Sequence, residues 1–191
     1  MRRGCRQLAA WHREIPGAAH LRSMLNLSRR QLVDAEFALR VADEIRLSGV
    51  DPTKLGLEIT ETAVVHDLPG AVAVLHRLRE LGARILLDDF GSGYTAISHL
   101  DQMPIDAIKI ERAFISGAHQ DKRRGAMLKA LVALAGAYDL DVVAEGVETA
   151  SERDFVLSLG IERGQGWLYA PAVPPEQAEA MIRAGRLDAK T

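Results

Sequence analysis

Six short, mostly apolar runs in this sequence end on, or are followed at once by, a polar side chain able to do chemistry. Asn26 closes Ser23-Met24-Leu25-Asn26-Leu27, Glu58 lies in Leu57-Glu58-Ile59-Thr60-Glu61, and the adjacent pair Asp88-Asp89 follows Ile85-Leu86-Leu87. Lys109 falls in Ala107-Ile108-Lys109-Ile110, Glu145 follows Val142-Val143-Ala144, and Gln165 stands in Gly164-Gln165-Gly166. A carboxylate flanked by apolar neighbours, as Glu58 is, costs several kcal/mol to bury unless a partner compensates it. Lys109 is one positive charge against Glu58, Asp88, Asp89 and Glu145, so ion pairing alone leaves an excess of about three negative charges. A divalent cation balances such an excess. Mg²⁺ and Mn²⁺ prefer oxygen donors, which suits an Asn/Glu/Asp set without His or Cys. Two such ions about 4 Å apart are the usual device for in-line attack of water on a phosphodiester. Any one of these acids alone reads more readily as a helix cap or a surface charge; the set outweighs its members.

Positioning these groups at one place requires strands that end together. Leu21–Leu27, Leu55–Thr60, Ala83–Asp88, Asp106–Ile110, Asp141–Ala144 and Ile161–Gly164 read as strands, separated by stretches of helical spacing. Met127, Leu128, Leu131, Leu134, Ala135 and Tyr138 mark one helix with a buried face. Ser28 caps a helix carrying Leu32, Phe37, Val41 and Ile45, with Gly49 after its end, and Pro69 sits at the start of another. Strands alternating with crossover helices pair in parallel, so the chain is α/β, with its polar residues at the C-terminal strand ends where such folds place their sites. Six strands are two short of a closed (β/α) barrel, and the chain opens on helix-like residues, Cys5 to Glu14.

Composition narrows the class. In 191 residues, 48% hydrophobic and 26% charged, a packed core is expected, and with no linker or repeat, residues 1–191 are expected to form a single domain. Net charge is −2, which argues against duplex nucleic acid as a partner. The single Cys5 permits no internal disulfide or CxxC site, and neither a signal-peptide core nor a membrane segment is evident, so a cytoplasmic setting is expected. Gly91-Ser92-Gly93-Tyr94-Thr95-Ala96 matches a dinucleotide-binding fingerprint, but Asp88 and Asp89 stand just before the turn that would receive a pyrophosphate. A loop orienting the two carboxylates fits better. His12, His20, His66, His76, His99 and His119 are scattered as surface or packing residues, and Trp11 and Trp167 read as buried packing, with Trp167 beside Gln165 as a possible pocket wall.

In this order, several segments resemble the motifs of the EAL domain of cyclic di-GMP phosphodiesterases. They are Leu25-Asn26-Leu27-Ser28 with Arg30-Gln31-Leu32, Leu57 to Glu61, Asp88-Asp89-Phe90-Gly91-Ser92-Gly93-Tyr94, Ile108-Lys109-Ile110, Ala144 to Thr149 and Gln165-Gly166-Trp167-Leu168, and the resemblance runs from about Cys5 to Ile182. It implies a TIM-like barrel that uses Mg²⁺ or Mn²⁺ to linearise cyclic di-GMP to pGpG. By motif, Asn26, Glu58, Asp88, Asp89 and Glu145 would be metal ligands, Lys109 would position or activate the attacking water, and Gln165 would support water on the metals. Glu148 would hold the Asp88 to Leu100 loop, which also implies a homodimer. The family's Glu-x-Leu motif lies on its first barrel strand. That strand and the next are absent here, so an incomplete EAL-type barrel is expected, without one ligand Glu and without the Arg that follows it. Met24-Leu25, Glu111 and Pro171 to Pro174 are smaller departures. The missing ligand is expected to weaken the metals and lower turnover, and two open edges to make the chain aggregate, pair with another copy or pack differently from a closed barrel. A rival expectation is a non-catalytic module that binds cyclic di-GMP or a protein partner.

Overall fold

The computed structural model describes residues 1–65, 67–91 and 97–185. Among them, six parallel strands lie side by side in sequence order: β1 (Ser23–Asn26), β2 (Leu55–Thr60), β3 (Arg84–Phe90), β4 (Ala107–Ile110), β5 (Asp141–Ala144) and β6 (Arg163–Gly164). Helices α1 (Arg2–Glu14), α2 (Arg29–Leu32), α3 (Phe37–Ser48), α4 (Glu61–Val65), α5 (Leu68–Glu80), α6 (Arg112–Ile115), α7 (Lys122–Ala137), α8 (Ala150–Ser158) and α9 (Pro175–Arg183) alternate with them. The result is an incomplete, curled (β/α) barrel, as the strand count leads one to expect. Among the described residues β1 pairs only with β2 and β6 only with β5.

Alternation along the strands separates two faces. Leu57, Ile59, Ile85, Leu87, Ile108 and Ile110 are fully buried in the core, on the face covered by helices. Residues of the other parity face inward, and the register aligns them: Asn26 with Glu58, Thr60 with Asp88, Leu86 with Ala107, Lys109 with Val143, and Val143 with Arg163. Because side chains alternate with a period of two, Asn26, Glu58, Asp88, Lys109, Glu145 and Gln165 all share the inner face.

Several boundaries differ from the sequence expectation for identifiable reasons. β1 starts at Ser23, not Leu21, because the Leu21 carbonyl faces His12 Nε2 at 3.1 Å. The last strand shrinks to two residues because Ile161 N–H donates to Val156 O at 3.1 Å, closing the end of α8. The helix expected after Ser28 is two helices. Ser28 and Gln31 form a capping box on α2, and Asp34 then accepts from Glu36 N at 3.0 Å and Phe37 N at 2.9 Å to start α3. The buried face survives the break through Leu32, Phe37 and Val41. Gly49, at φ 69°, closes α3, where a left-handed residue favours glycine. On α7 the buried stripe is Gly125, Leu128, Leu131 and Ala135, whereas Met127 and Tyr138 are exposed. Met127 lies about 100° round the helix from Leu128, and Tyr138 stands at the C-cap.

Candidate functional site at the C-terminal mouth

Among the described residues the inner face carries one buried cation. Lys109 is 4% exposed, and its Nζ lies 2.6 Å from Glu145 Oε1, 2.9 Å from Glu58 Oε1 and 3.0 Å from Asp88 Oδ1. Burial opposes its charge, but the hydrogen bonds to Glu145, Glu58 and Asp88 outweigh that and hold its pKa above the usual 10.5. Burial likewise pushes the Glu145 carboxyl up; Lys109 pulls against this, while Asp88 and Glu58 push the same way. Gln165 Nε2 donates to Glu145 Oε1 at 2.5 Å. Backbone bonds seat both residues just past their strands, from Glu145 N to Ile110 O at 2.9 Å and from Gln165 N to Ala144 O at 2.9 Å.

Consecutive strand residues point to opposite faces, so Asp88 and Asp89 could not both face inward on a regular strand. The ladder between β3 and β4 solves this with a register shift. Leu87 pairs with Ile108 and Phe90 with Ile110, so Asp88 and Asp89 together oppose Lys109. Asp89 adopts φ 56°, and its N–H donates to Asp88 Oδ1 at 3.1 Å. Carboxylate oxygens of Asp88, Asp89 and Glu145 consequently lie within 4.8 Å of one another. All three are hard oxygen donors, a set able to hold a divalent ion such as Mg²⁺ or Mn²⁺. Lys109 is shared among Glu58, Asp88 and Glu145.

Other expected site residues fall around this centre. Asn26 is exposed, level with Glu58, and lines a cavity of about 500 Å³ with Ser28, Gln31, Thr60 and Thr62. Glu148 lies one turn beyond Glu145, where its Oε2 pairs with Arg112 at 2.7 Å. Residues 92–96, central to the loop assigned to Glu148 and to the dinucleotide fingerprint, lie outside the described residues, as does His66. The acidic cluster contains no histidine; His12 and His20 instead meet the carbonyls of Leu21 and Gly17. Trp167 is not buried packing but 76% exposed, because Gly166 before it turns tightly against the Val147 backbone. Trp11 is half-buried, with Nε1 donating to Glu179 at 3.3 Å.

Sequence reasoning singled out neither Glu61, which is 4% exposed at the first position of α4, nor Arg112. An acidic residue directly following a buried strand was the available signal for the first; the second had none, since its partner lies 36 residues away.

Parallel strands delivering oxygen donors and one lysine to a single mouth define a partial (β/α) barrel whose acidic cluster could hold a divalent cation. The sequence matches the EAL domain family over residues 1–172, and the chain belongs to that family. Cyclic di-GMP phosphodiesterase NbdA of Pseudomonas aeruginosa is 35% identical over 189 residues, which cover 99% of this chain and 24% of NbdA. The EAL domain of Mycobacterium smegmatis DcpA is 32% identical with a TM-score of 0.91, covering 97% of this chain and 83% of that one. The PaMucR phosphodiesterase in complex with c-di-GMP is 33% identical with a TM-score of 0.84, covering 93% and 71%. The chain spans 22% to 30% of the length of the curated relatives it matches.

Proposed function

We propose that residues 1–191 act as one EAL-type catalytic unit that hydrolyses cyclic di-GMP to linear pGpG. The observation that carries this is the bulge placing Asp88 and Asp89 together opposite Lys109 and beside Glu145. The naming of NbdA as a cyclic di-GMP phosphodiesterase and the c-di-GMP complex of PaMucR support the substrate. Asn26, Glu58, Asp88, Asp89 and Glu145 would hold Mg²⁺ or Mn²⁺. When bound, such ions supply Lewis-acid stabilisation of the charge that grows on the phosphoryl oxygens and the leaving 3′ oxygen.

The chain's own groups do the rest. Lys109, hydrogen-bonded to Glu145, Glu58 and Asp88, would position or activate the attacking water. Its positive charge would also offset charge that grows in the transition state. Gln165, through its bond to Glu145, fixes that carboxylate's direction and offers its remaining hydrogen-bonding capacity to water. Glu148, whose carboxylate pairs with Arg112, would hold the 88–100 loop in its active shape.

A second reading is a module that binds cyclic di-GMP or a protein without turning it over. Incubating the purified chain with cyclic di-GMP and Mg²⁺ or Mn²⁺, and following pGpG by chromatography, separates the two. Hydrolysis that drops about 10³-fold in Asp89→Asn supports the enzyme. No product, with dinucleotide binding that survives chelation, supports the module. Pairing of two copies through the 88–100 loop and a reducing, cytoplasmic setting for the buried free thiol of Cys5 belong to the same proposal. Sedimentation of the purified chain tests the pairing. No helix among the described residues is long and apolar enough to cross a membrane.

A further inference from the structure

Three residues after Lys109, the short helix α6 (Arg112–Ile115) touches both flanks of the acidic cluster. Gly91 follows Asp88-Asp89-Phe90 at φ 101°, and a Cβ there would fall 2.7 Å from Phe114 Cε2. Gly146 directly follows Glu145 at φ 66°, and a Cβ there would fall 2.6 Å from Arg112 Cβ and 2.7 Å from its Cγ. Both positions need glycine twice over, for the left-handed backbone and for the close approach. Ile115, 1% exposed, anchors α6 in the core. From its seat on Gly146 the Arg112 side chain runs on to Glu148, Nη2 to Oε2 at 2.7 Å. The backbone N–H groups of Glu148 and Thr149 donate to Glu152 Oε2, each at 3.0 Å, tying this turn to α8.

We propose that α6 is a strap that sets the spacing between Asp88-Asp89 and Glu145, with Phe114 bearing on one loop root and Arg112 clamping the other through its stem and its bond to Glu148. The strap rests on the cation-binding role proposed for those acids. Arg112 touches none of the candidate ligands; it is a positioning residue that acts through Gly146 and Glu148. Being rooted in the same strand end as Lys109, the strap makes the lysine and the carboxylates on either side move as one unit. Outer groups that orient ligands in this way commonly contribute about 10- to 100-fold to metal affinity.

The test is a Mn²⁺ titration of the metal-free protein, read from the electron paramagnetic resonance signal of free Mn²⁺, alongside metal-free thermal unfolding. Arg112→Ala is expected to weaken Mn²⁺ binding about 10-fold or more, with the metal-free unfolding temperature nearly unchanged. Arg112→Met keeps the stem over Gly146 without the guanidinium and should fall between, while Arg112→Lys recovers most of the affinity. Should the alanine variant not fold, Arg112→Met carries the same criterion. Mn²⁺ affinity within twofold of the wild type in a folded variant overturns the strap. A wild type that binds Mn²⁺, loses it in Asp89→Asn, yet leaves cyclic di-GMP intact overturns the phosphodiesterase reading and leaves the strap standing; a wild type that binds no Mn²⁺ overturns both.

Discussion

The two mouths of this half-barrel are electrostatic opposites built from the same inner face. At the C-terminal mouth one buried ammonium, Lys109, serves Glu58, Asp88 and Glu145. At the N-terminal mouth one carboxylate, Asp141, serves two guanidinium groups, with its Oδ2 2.6 Å from both Arg84 and Arg163. Arg22 joins them around a cavity of about 110 Å³ floored by Met24, Leu86 and Val143. Burial makes the difference. The side chains of Lys109 and Glu58 are 5% and 7% exposed, whereas those of Asp141 and Arg163 are 46% and 51% exposed. Water and salt screen the second set, so it links neighbouring strands at little cost and modest gain. The first is largely shielded from solvent, so the pairing of Lys109 with its carboxylates is felt far more strongly.

The comparison can be broken most directly at its centre. Lys109→Met leaves buried carboxylates without their cation and should cost about 3–5 kcal/mol in urea unfolding. Mn²⁺ at about 100 times its Kd should return about 2.7 kcal/mol to any variant that still binds it; a metal-free Lys109→Met as stable as the wild type would refute the buried-charge account. Gly166→Ala should follow, at about 1–3 kcal/mol, because a Cβ there meets the Val147 backbone next to Gln165. Thermal unfolding with a parallel assay of pGpG formation would show the clash in both readouts. Smallest is Asp141→Asn, about 0–1 kcal/mol for so exposed a network.

The two mouths should also part company with pH. The bond from Arg84 leads in holding Asp141 below its usual 3.8, so its contribution is present above that value and fades as pH falls through the lower, folded pKa. Lys109 is shifted the other way: its contribution is complete below 10.5 and is lost only as pH rises through the higher, folded value. Urea midpoints of the metal-free protein measured from acid to alkali should therefore show Asp141→Asn converging on the wild type at the acid end and Lys109→Met at the alkaline end.

Much of this was readable in the sequence. Asn26, Glu58, Lys109 and Glu145 stand out as polar interruptions or sequels of β-branched and leucine-rich runs, and a parallel sheet brings such positions to one end whatever its details. The inward turn of Asp89 was not readable, since it depends on one residue of mismatch with a strand that begins 18 residues later. The break between α2 and α3 was hidden because Leu32, Phe37 and Val41 keep a helical rhythm across it. The basic mouth escaped notice because Arg22, Arg84 and Arg163 look like ordinary surface arginines until the register sets them side by side. Trp167 misled for the opposite reason, since a large aromatic is expected inside unless a backbone contact such as that of Gly166 turns it out.

The inserted residue at the Asp88-Asp89 step has a consequence for how such a barrel loses its chemistry over generations. Deleting a single codon there would restore an even pleat against β4 and leave the helix-facing leucines and isoleucines in place, while carrying one acid out of the mouth. Under the proposed phosphodiesterase reading, one such genetic event would remove hydrolysis while folding would scarcely register it, leaving a receptor with an enzyme's outline.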